Sequence, residues 1–202
     1  MSRLADRLRD SLAASAGDDA PLVQYPGLDE DLGLLTPAAV LVPIVDAERP
    51  RLLLTVRDAA LRAHAGQVAF PGGRLDPGDD GPIGGALREA WEEIGLPTDQ
   101  VEIVGATRPH ATGSGYLITP VIGVIPDGLA LRPHEAEVAA IFEVPLDHLL
   151  ADANHLQRSG VFKGLERHYF EIAWPDQRIW GVTAGLIVDL APRLRAAIEV
   201  TP

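Results

Sequence analysis

The segment Gly66–Leu96 constrains this chain most, because it ends in the acidic run REAWEEIGL at residues 88–96. At about 100° per residue, this run predicts a helix with one apolar face. That face consists of Leu87, Ala90, Trp91 and Ile94. The opposite face carries three glutamates that repel one another at this spacing, namely Glu89, Glu92 and Glu93. A divalent cation such as Mg²⁺ would relieve the repulsion, because it prefers oxygen ligands.

The acidic face also has a simpler explanation, since acidic residues on a helix are usually just hydrated. Its surroundings favour a site. Gly95 stands where a helix C-cap glycine is expected, and the apolar Leu96 follows it. Arg88 lies beside the acids, where its guanidinium can pair with a carboxylate or with a bound phosphate. The pattern therefore predicts a helix that ends at a glycine and presents its carboxylates to a cation or to solvent.

The composition limits the partners of this chain. It has 202 residues, a net charge of −12 and no cysteine, which excludes disulfides and thiolate metal sites. We expect one domain over residues 1–202 in a cytoplasmic protein, because we find neither a secretory signal nor an apolar run of about 20 residues that would enter a membrane. The negative charge argues against nucleic acid as a partner. An anionic substrate would need local basic residues or a metal ion.

Apolar patterning predicts a mixture of helices and strands. An amphipathic helix over about residues 2–14 flanks the domain, and another covers residues 183–199, where Pro192 should kink or split it. The predicted strands lie at residues 38–45, 51–56, 67–70, 101–107, 117–125, 138–144, 168–173 and 177–180. The first two should form a hairpin, and Pro120 suggests either an edge strand or a place at the start of its strand. This order favours an α/β sandwich with a mixed sheet over a doubly wound parallel sheet.

Glycines punctuate the region before the acidic helix. Pro71-Gly72-Gly73 should end the short strand at 67–70, and Gly78–Gly85 should form a loop that leads into the helix. Gly72 and Gly73 also allow a backbone to approach a ligand closely.

The segment Gly73–Leu96 resembles the Nudix box, which reads Gly, five residues, Glu, seven residues and then REUxEExGU, with U apolar. The REAWEEIGL half matches in full. The first half departs in two ways, because Asp79 replaces the glutamate and eight residues rather than seven separate it from Arg88. The resemblance implies an α/β/α sandwich with a mixed sheet and the Nudix loop and helix.

A second motif resembles one subgroup, the coenzyme A pyrophosphatases of the Nudix superfamily. The segment Leu53–Gly73 reads LLTVRDAALRAHAGQVAFPGG, and only Asp58 departs from the subgroup pattern, which has Ser or Ala there. This resemblance implies hydrolysis of coenzyme A to 3′,5′-ADP and 4′-phosphopantetheine, with Mg²⁺ or Mn²⁺ as the cofactor. It covers roughly residues 38–190.

The resemblance also implies roles for individual residues. Glu89 and Glu93 are the first choices as metal ligands, and Glu92 is the next. The catalytic acids are Glu92, Glu93 and the loop residue Glu137, and the choice of general base among them stays open. The residues expected to bind substrate are Arg57, Arg62, Gly72, Gly73 and Arg88. We expect Trp180 to belong to the core rather than to a substrate pocket.

Three interpretations remain open at this point. The first is a coenzyme A diphosphatase. The second keeps the chemistry but changes the substrate to ADP-ribose, NADH or a dinucleoside polyphosphate, as Asp58 and the altered box spacing allow. The third is a silent module that only binds a nucleotide, although all three acids of REAWEE are retained. The partner in each case is a small molecule, with a homodimer as one possible assembly.

Overall fold

A computed structural model of the chain describes residues 2–14, 22–23, 29–61, 63–162 and 165–198. The α-helices in this part of the chain are α1 (Arg3–Ala14), α2 (Gly81–Ile94), α3 (Leu146–Leu150) and α4 (Val182–Ile198). The strands are β1 (Leu22–Val23), β2 (Thr36–Asp46), β3 (Arg51–Arg57), β4 (Val68–Ala69), β5 (Gly72–Arg74), β6 (Glu102–Ala106), β7 (His110–Ala111), β8 (Tyr116–Pro126), β9 (Val138–Pro145), β10 (Leu156–Phe162), β11 (Leu165–Trp174) and β12 (Gln177–Trp180). Short 3₁₀ helices cover Asp29–Leu34, Thr98–Gln100 and Asp152–Asn154.

The large sheet is mixed, as the sequence predicts. Its strand order is β1-β7-β8-β2-β3-β4, with β5 beside β2, β6 beside β8 and β9 beside β3. β2 runs parallel to β8 along its whole length. The predicted hairpin of β2 and β3 is confirmed, although only Ile44 and Val45 of β2 take part in the antiparallel pairing. A second sheet has the order β10-β11-β12.

Side chains of β2 alternate between the two faces of the large sheet. Ala39 and Leu41 belong to the core under α2, whereas Val42 and Ile44 belong to a larger core with α1, α3, α4 and the second sheet. This period of two is typical of a strand that is buried on both faces. Helices therefore cover both faces, and the predicted α/β/α sandwich is confirmed.

The edge or strand-start position predicted for Pro120 is wrong. Pro120 lies inside the central strand β8, between the segments that pair with β7 and with β6. Its carbonyl accepts a hydrogen bond from Thr107 N at 2.9 Å on that side. Because the N and C=O of one strand residue point the same way, the missing N–H falls in the gap between β7 and β6.

Pro192 was predicted to kink or split its helix. The split is wrong, because α4 runs unbroken over Val182–Ile198, and the kink stays a prediction.

The second sheet was only partly predicted. The strands at residues 168–173 and 177–180 are confirmed as an antiparallel pair, β11 and β12. Strand β10 was not predicted, because the segment LQRSGVF has no clear alternation of apolar and polar residues.

Candidate active site

Helix α2 lies on the large sheet through small and apolar residues. Ala86, Ala90 and Ile94, at i, i+4 and i+8, are fully buried. Trp91 is 56% exposed, so its predicted place in the core is wrong. The small residues Ala86 and Ala90, rather than Trp91, are the ones that α2 buries against the sheet.

The predicted loop Gly78–Gly85 is also shorter than expected. α2 already begins at Gly81, with Pro82 in its first turn, and its glycines lie inside the helix. At the other end, Gly95 adopts a left-handed conformation with φ 64° and its N–H caps the helix, which confirms the predicted C-cap.

Glu93 and Glu89 project from α2 into one cavity. Glu93 is only 4% exposed, and its Oε2 accepts a hydrogen bond from Gly72 N at 3.1 Å. Arg57 Nη1 lies 3.9 Å from Glu93 Oε1. Burial raises the pKa of Glu93 to about 7 and also raises the pKa of Glu89, because low-dielectric surroundings disfavour the ionised form. Glu93 is therefore poised to take up either a proton or a cation near neutral pH.

Glu137 lines the same cavity from a loop that is hydrogen-bonded to the C-terminal end of α2. Arg132 N donates to Ile94 O at 3.0 Å, and His134 N donates to Glu93 O at 2.8 Å. Glu137 N then donates to His134 O. These backbone bonds bring the loop carboxylate toward the two helix carboxylates, and its charge contributes to the raised pKa of Glu93.

Gly72 and Gly73 allow the wall of the cavity to form. The short strand ends before Pro71 as predicted, because β4 stops at Ala69, but the two glycines then begin a new strand, β5, which pairs with β2. Gly72 has φ 154°, and an added Cβ would lie 2.4 Å from Ala39 O. A Cβ on Gly73 would lie 2.6 Å from Glu89 Oε1. The glycines thus let the strand lie directly against the carboxylates.

Arg88 is engaged by protein partners. Its Nε and Nη2 donate to the two carboxylate oxygens of Asp79 at 2.8 and 3.0 Å. Nη1 contacts Glu89 and Glu92 at 3.0 Å each, and Nη2 also donates to Arg74 O. Arg88 is not among the described residues that line the cavity. Its geometry therefore favours holding α2 and the preceding loop together over the predicted contact with substrate.

Asp79, which stands where the box pattern has glutamate, is the partner of Arg88. This bidentate pair, with a further hydrogen bond from Asp76 N, lowers the pKa of Asp79 to about 2. Ionisation of Asp79 thus stabilises the loop above the ordinary carboxyl pKa, and the effect is lost as the pH falls toward 2. The extra residue before Arg88 does not prevent the pairing, because α2 starts two residues after Asp79.

The remaining predicted site residues are Glu92 and Arg62. Glu92 has a side chain that is 55% exposed, contacts Arg88 and does not line the cavity among the described residues. Its carboxylate shares Arg88 Nη1 with Glu89 but does not join Glu89 and Glu93 in lining the cavity, and its role as a ligand stays a prediction. Arg62 lies outside the residues that the structure describes.

The cavity has a volume of about 780 Å³. One wall comes from the segment that resembles coenzyme A pyrophosphatases, through Arg57, His64, Gln67 and Phe70. Arg57 Nε is buried without a hydrogen-bond partner in the described part of the chain. The wall therefore holds a cationic side chain with an unused donor, which suits an anionic ligand.

The opposite wall comes from the second sheet. Trp180 lines the cavity rather than only packing in the core, and Tyr169, Arg167 and Arg178 join it there. Sequence reasoning missed these last three residues. The alternating pattern of RHYF at residues 167–170, with Arg and Tyr on one face, was the signal that could have found them.

The carboxylates fit a hard divalent cation by their chemistry. Glu89, Glu93 and Glu137 offer oxygen donors along one cavity. Over the described ranges, no three acidic or histidine side chains already converge into a complete metal cage. Mg²⁺ does not need one, because it keeps several waters and binds through a few carboxylates together with substrate phosphates.

Comparison with known proteins decides the family. The model of the NUDIX domain matches residues 35–164. The chain belongs to the Nudix family. It is 44% identical over 158 residues to NudL, an uncharacterized Nudix hydrolase of Photorhabdus laumondii, covering 78% of this chain and 84% of that protein. It is 47% identical over 158 residues to the corresponding NudL of Escherichia coli K12, covering 76% and 80%.

Solved Nudix structures resemble the chain more distantly. The Nudix hydrolase RenU of M. smegmatis is 27% identical with a TM-score of 0.48, over 56% of this chain and 72% of RenU. The NUDIX domain of Shewanella oneidensis NrtR, solved with ADP ribose, is 18% identical with a TM-score of 0.45, over 57% and 76%.

Family membership supports hydrolysis of a nucleoside diphosphate-linked substrate. Nudix hydrolases generally use divalent ions such as Mg²⁺ or Mn²⁺. No helix in the described part of the chain is long and apolar enough to cross a membrane.

Proposed function

We propose that this chain is a metal-dependent coenzyme A diphosphatase that produces 3′,5′-ADP and 4′-phosphopantetheine. One observation carries the proposal. The segment that resembles coenzyme A pyrophosphatases forms a wall of the same cavity that holds Glu89, Glu93 and Glu137. Three residues expected to recognise substrate, Arg57, Gly72 and Gly73, therefore line the same cavity as two expected metal ligands, Glu89 and Glu93. We further propose that one domain over residues 1–202 performs this reaction in the cytoplasm.

The chemistry requires a nucleophilic water and neutralised phosphate charge. A divalent cation held by Glu89 and Glu93, with Glu92 as a further candidate, would act as a Lewis acid and lower the pKa of bound water. Arg57 lines the cavity near Glu93 and is a candidate to meet a phosphoryl oxygen through its guanidinium. Arg62 is a second candidate for the phosphates. Gly72 N–H holds Glu93 in place, and Arg88 positions α2 through Asp79.

Glu137 is our candidate for the general base. Its side chain is exposed, lines the cavity, and lies on a loop that backbone hydrogen bonds fix to α2. An ionised carboxylate in such a position can remove a proton from an attacking water.

Replacement of Glu137 by Gln should lower kcat by about 10²-fold with little change in KM, because general-base catalysis contributes on this scale. The exposed side chain leaves the fold intact, so the thermal unfolding midpoint should not move. Glu135→Gln is the matched control, since Glu135 is exposed on the same loop and does not line the cavity among the described residues. Equal activity of the two variants would remove Glu137 from the mechanism.

Product analysis tests the proposed substrate. Purified protein with Mg²⁺ or Mn²⁺ is incubated separately with coenzyme A, ADP-ribose, NADH and diadenosine tetraphosphate, and the products are separated by liquid chromatography. We expect the highest kcat/KM for coenzyme A. Cleavage of ADP-ribose at an equal or higher kcat/KM would favour the alternative Nudix substrates. No turnover of any compound would favour a binding module.

A further inference from the structure

The cavity extends from the carboxylates onto the second sheet. One face of that sheet packs into the core through Ile172 and Ile179. The other face lines the cavity through residues that include Tyr169, Arg178 and Trp180. A cavity of about 780 Å³ accommodates a whole drug-sized ligand. The cavity is therefore larger than a diphosphate group bound at the carboxylates would need, and it has room for further parts of a substrate.

Tyr169, Arg178 and Trp180 form what we call the stacking platform. The rings of Tyr169 and Trp180 meet edge to face, with centroids 5.6 Å apart at 64°. The guanidinium carbon of Arg178 lies 4.9 Å from the Trp180 centroid and 6.0 Å from that of Tyr169. Nucleobases stack on aromatic rings and on guanidinium planes alike. The platform thus offers both surfaces to a flat aromatic ring.

The stacking platform is held in place before any ligand arrives. Glu171 Oε2 accepts a hydrogen bond from Arg178 Nε at 2.7 Å, and Arg178 Nη2 reaches Tyr169 Oη at 3.2 Å. Just beyond β12, Thr183 Oγ1 donates to Val68 O at 2.9 Å and so ties this region to β4. Because β4 leads into the glycines that contact the carboxylates, the platform stands at a fixed position relative to them.

The same face is basic in a strongly acidic chain. The register of β10 and β11 places Arg158 opposite Tyr169 and Gly160 opposite Arg167, on the face of the stacking platform. Among the described residues of β10, β11 and β12, this face has three arginines, namely Arg158, Arg167 and Arg178, and one acid, Glu171, which pairs with Arg158 and Arg178. The whole chain, by contrast, has a net charge of −12. Arginine suits phosphate through paired N–H donors. The face therefore combines a surface for stacking with a local positive field.

We propose that the stacking platform, together with Arg167, is the nucleoside subsite and that it selects a purine nucleoside with a phosphate on its ribose in addition to the diphosphate. The base stacks on Tyr169, Trp180 and the Arg178 plane. Because Glu171 and Tyr169 engage Nε and Nη2 of Arg178, its Nη1 is the donor that meets the ribose phosphate, together with Arg167. This inference rests on the proposed function, because coenzyme A contains such a nucleoside. The inference adds which residues bind that nucleoside.

Calorimetric titration with 3′,5′-ADP and with 5′-AMP tests the subsite without turnover, because neither compound contains a pyrophosphate bond. We expect wild-type protein to bind 3′,5′-ADP about tenfold more tightly than 5′-AMP, as one charge-assisted pair provides. Arg178→Gln should weaken the binding of 3′,5′-ADP and reduce that preference, with Arg167 left to provide the remainder. Trp180→Leu should weaken both compounds by a similar factor of about ten, because stacking does not depend on the phosphate. Arg49→Gln is the control, since Arg49 pairs with Asp147 at the surface, outside the cavity lining that the structure describes.

Two results would overturn the subsite. One is unchanged binding of 3′,5′-ADP in Arg178→Gln, whose exposed side chain makes misfolding a poor explanation. The other is a wild-type protein with no preference between the two compounds. Coenzyme A hydrolysis by the same variants separates this inference from the proposed function. If wild-type protein shows the preference but does not cleave coenzyme A, the subsite stands and the reaction fails. If kcat/KM for coenzyme A is equal in wild type and both variants, the reaction stands and the subsite fails.

Discussion

Glu93→Gln is expected to lower kcat for pyrophosphate hydrolysis by about 10³-fold while the protein stays folded. Glu93 is the most buried carboxylate of the cavity. It accepts a hydrogen bond from Gly72 N and lies 3.9 Å from Arg57 Nη1. Replacement by an amide removes the charge that would hold a cation, and metal activation together with proton transfer contributes on this scale. Steady-state kinetics with coenzyme A and Mg²⁺ measures the loss.

The same substitution is expected to stabilise the metal-free protein above neutral pH. The folded-state pKa of Glu93 is about 7, against 4.5 for a free glutamate. A raised carboxyl pKa means that ionisation of Glu93 opposes folding. The resulting loss of free energy of unfolding is absent below pH 4.5, grows between pH 4.5 and 7 and is complete above pH 7. At pH 8 the variant should therefore be more stable by up to about 3 kcal/mol, since one pKa unit corresponds to about 1.4 kcal/mol.

Thermal unfolding in EDTA at pH 4.5 and at pH 8 separates the two effects. The midpoints of wild type and Glu93→Gln should be similar at pH 4.5, and the variant should unfold at a higher temperature at pH 8. Mg²⁺ should then stabilise wild type and have much less effect on the variant. Glu48→Gln serves as the control, because Glu48 is exposed in the turn between β2 and β3. A variant that is less stable than wild type at pH 8 would contradict the role of burial.

Gly72→Ala is expected to destabilise the protein by about 3 kcal/mol, through backbone strain and overpacking. An added Cβ would lie 2.4 Å from Ala39 O and 2.6 Å from Val40 Cα, and φ is 154°. Both contacts are with the backbone of β2, which cannot move away without disturbing the sheet. For a chain of this size, the unfolding midpoint should fall by about 10 °C. Turnover should fall as well, because Gly72 N–H anchors Glu93.

Gly78→Ala provides the matched comparison. Gly78 is exposed, and an added Cβ there would have no atom within 4 Å. Its unfolding midpoint and turnover should stay close to those of wild type. If Gly72→Ala behaved like Gly78→Ala in calorimetry, the close approach of β5 to β2 would not be needed for stability.

The acidic helix shows how far periodicity can lead. The spacing of apolar residues predicted a helix with Ala90 and Ile94 in the core, and the structure agrees. The same helical wheel predicted that Trp91 is buried and that three glutamates share one face. In the structure Trp91 is exposed, and Glu92 does not line the cavity with Glu89 and Glu93 among the described residues. A wheel gives angles between residues. The rotation of the helix about its axis depends on which side chains fit the sheet below it, and here Ala86, Ala90 and Ile94 are the ones buried there.

The amino-acid sequence by itself determined that this chain forms a mixed α/β sandwich and carries the REAWEEIGL motif. Both follow from local rules, since strand alternation and helix spacing depend on neighbouring residues. Only the tertiary structure decided which carboxylates share a cavity, because Glu137 meets Glu93 through a loop that is bonded to the end of α2. It also brought Tyr169 and Arg178 to that cavity, although they follow Glu93 by about 80 residues along the chain. Such contacts depend on the packing of distant elements, which no local spacing encodes.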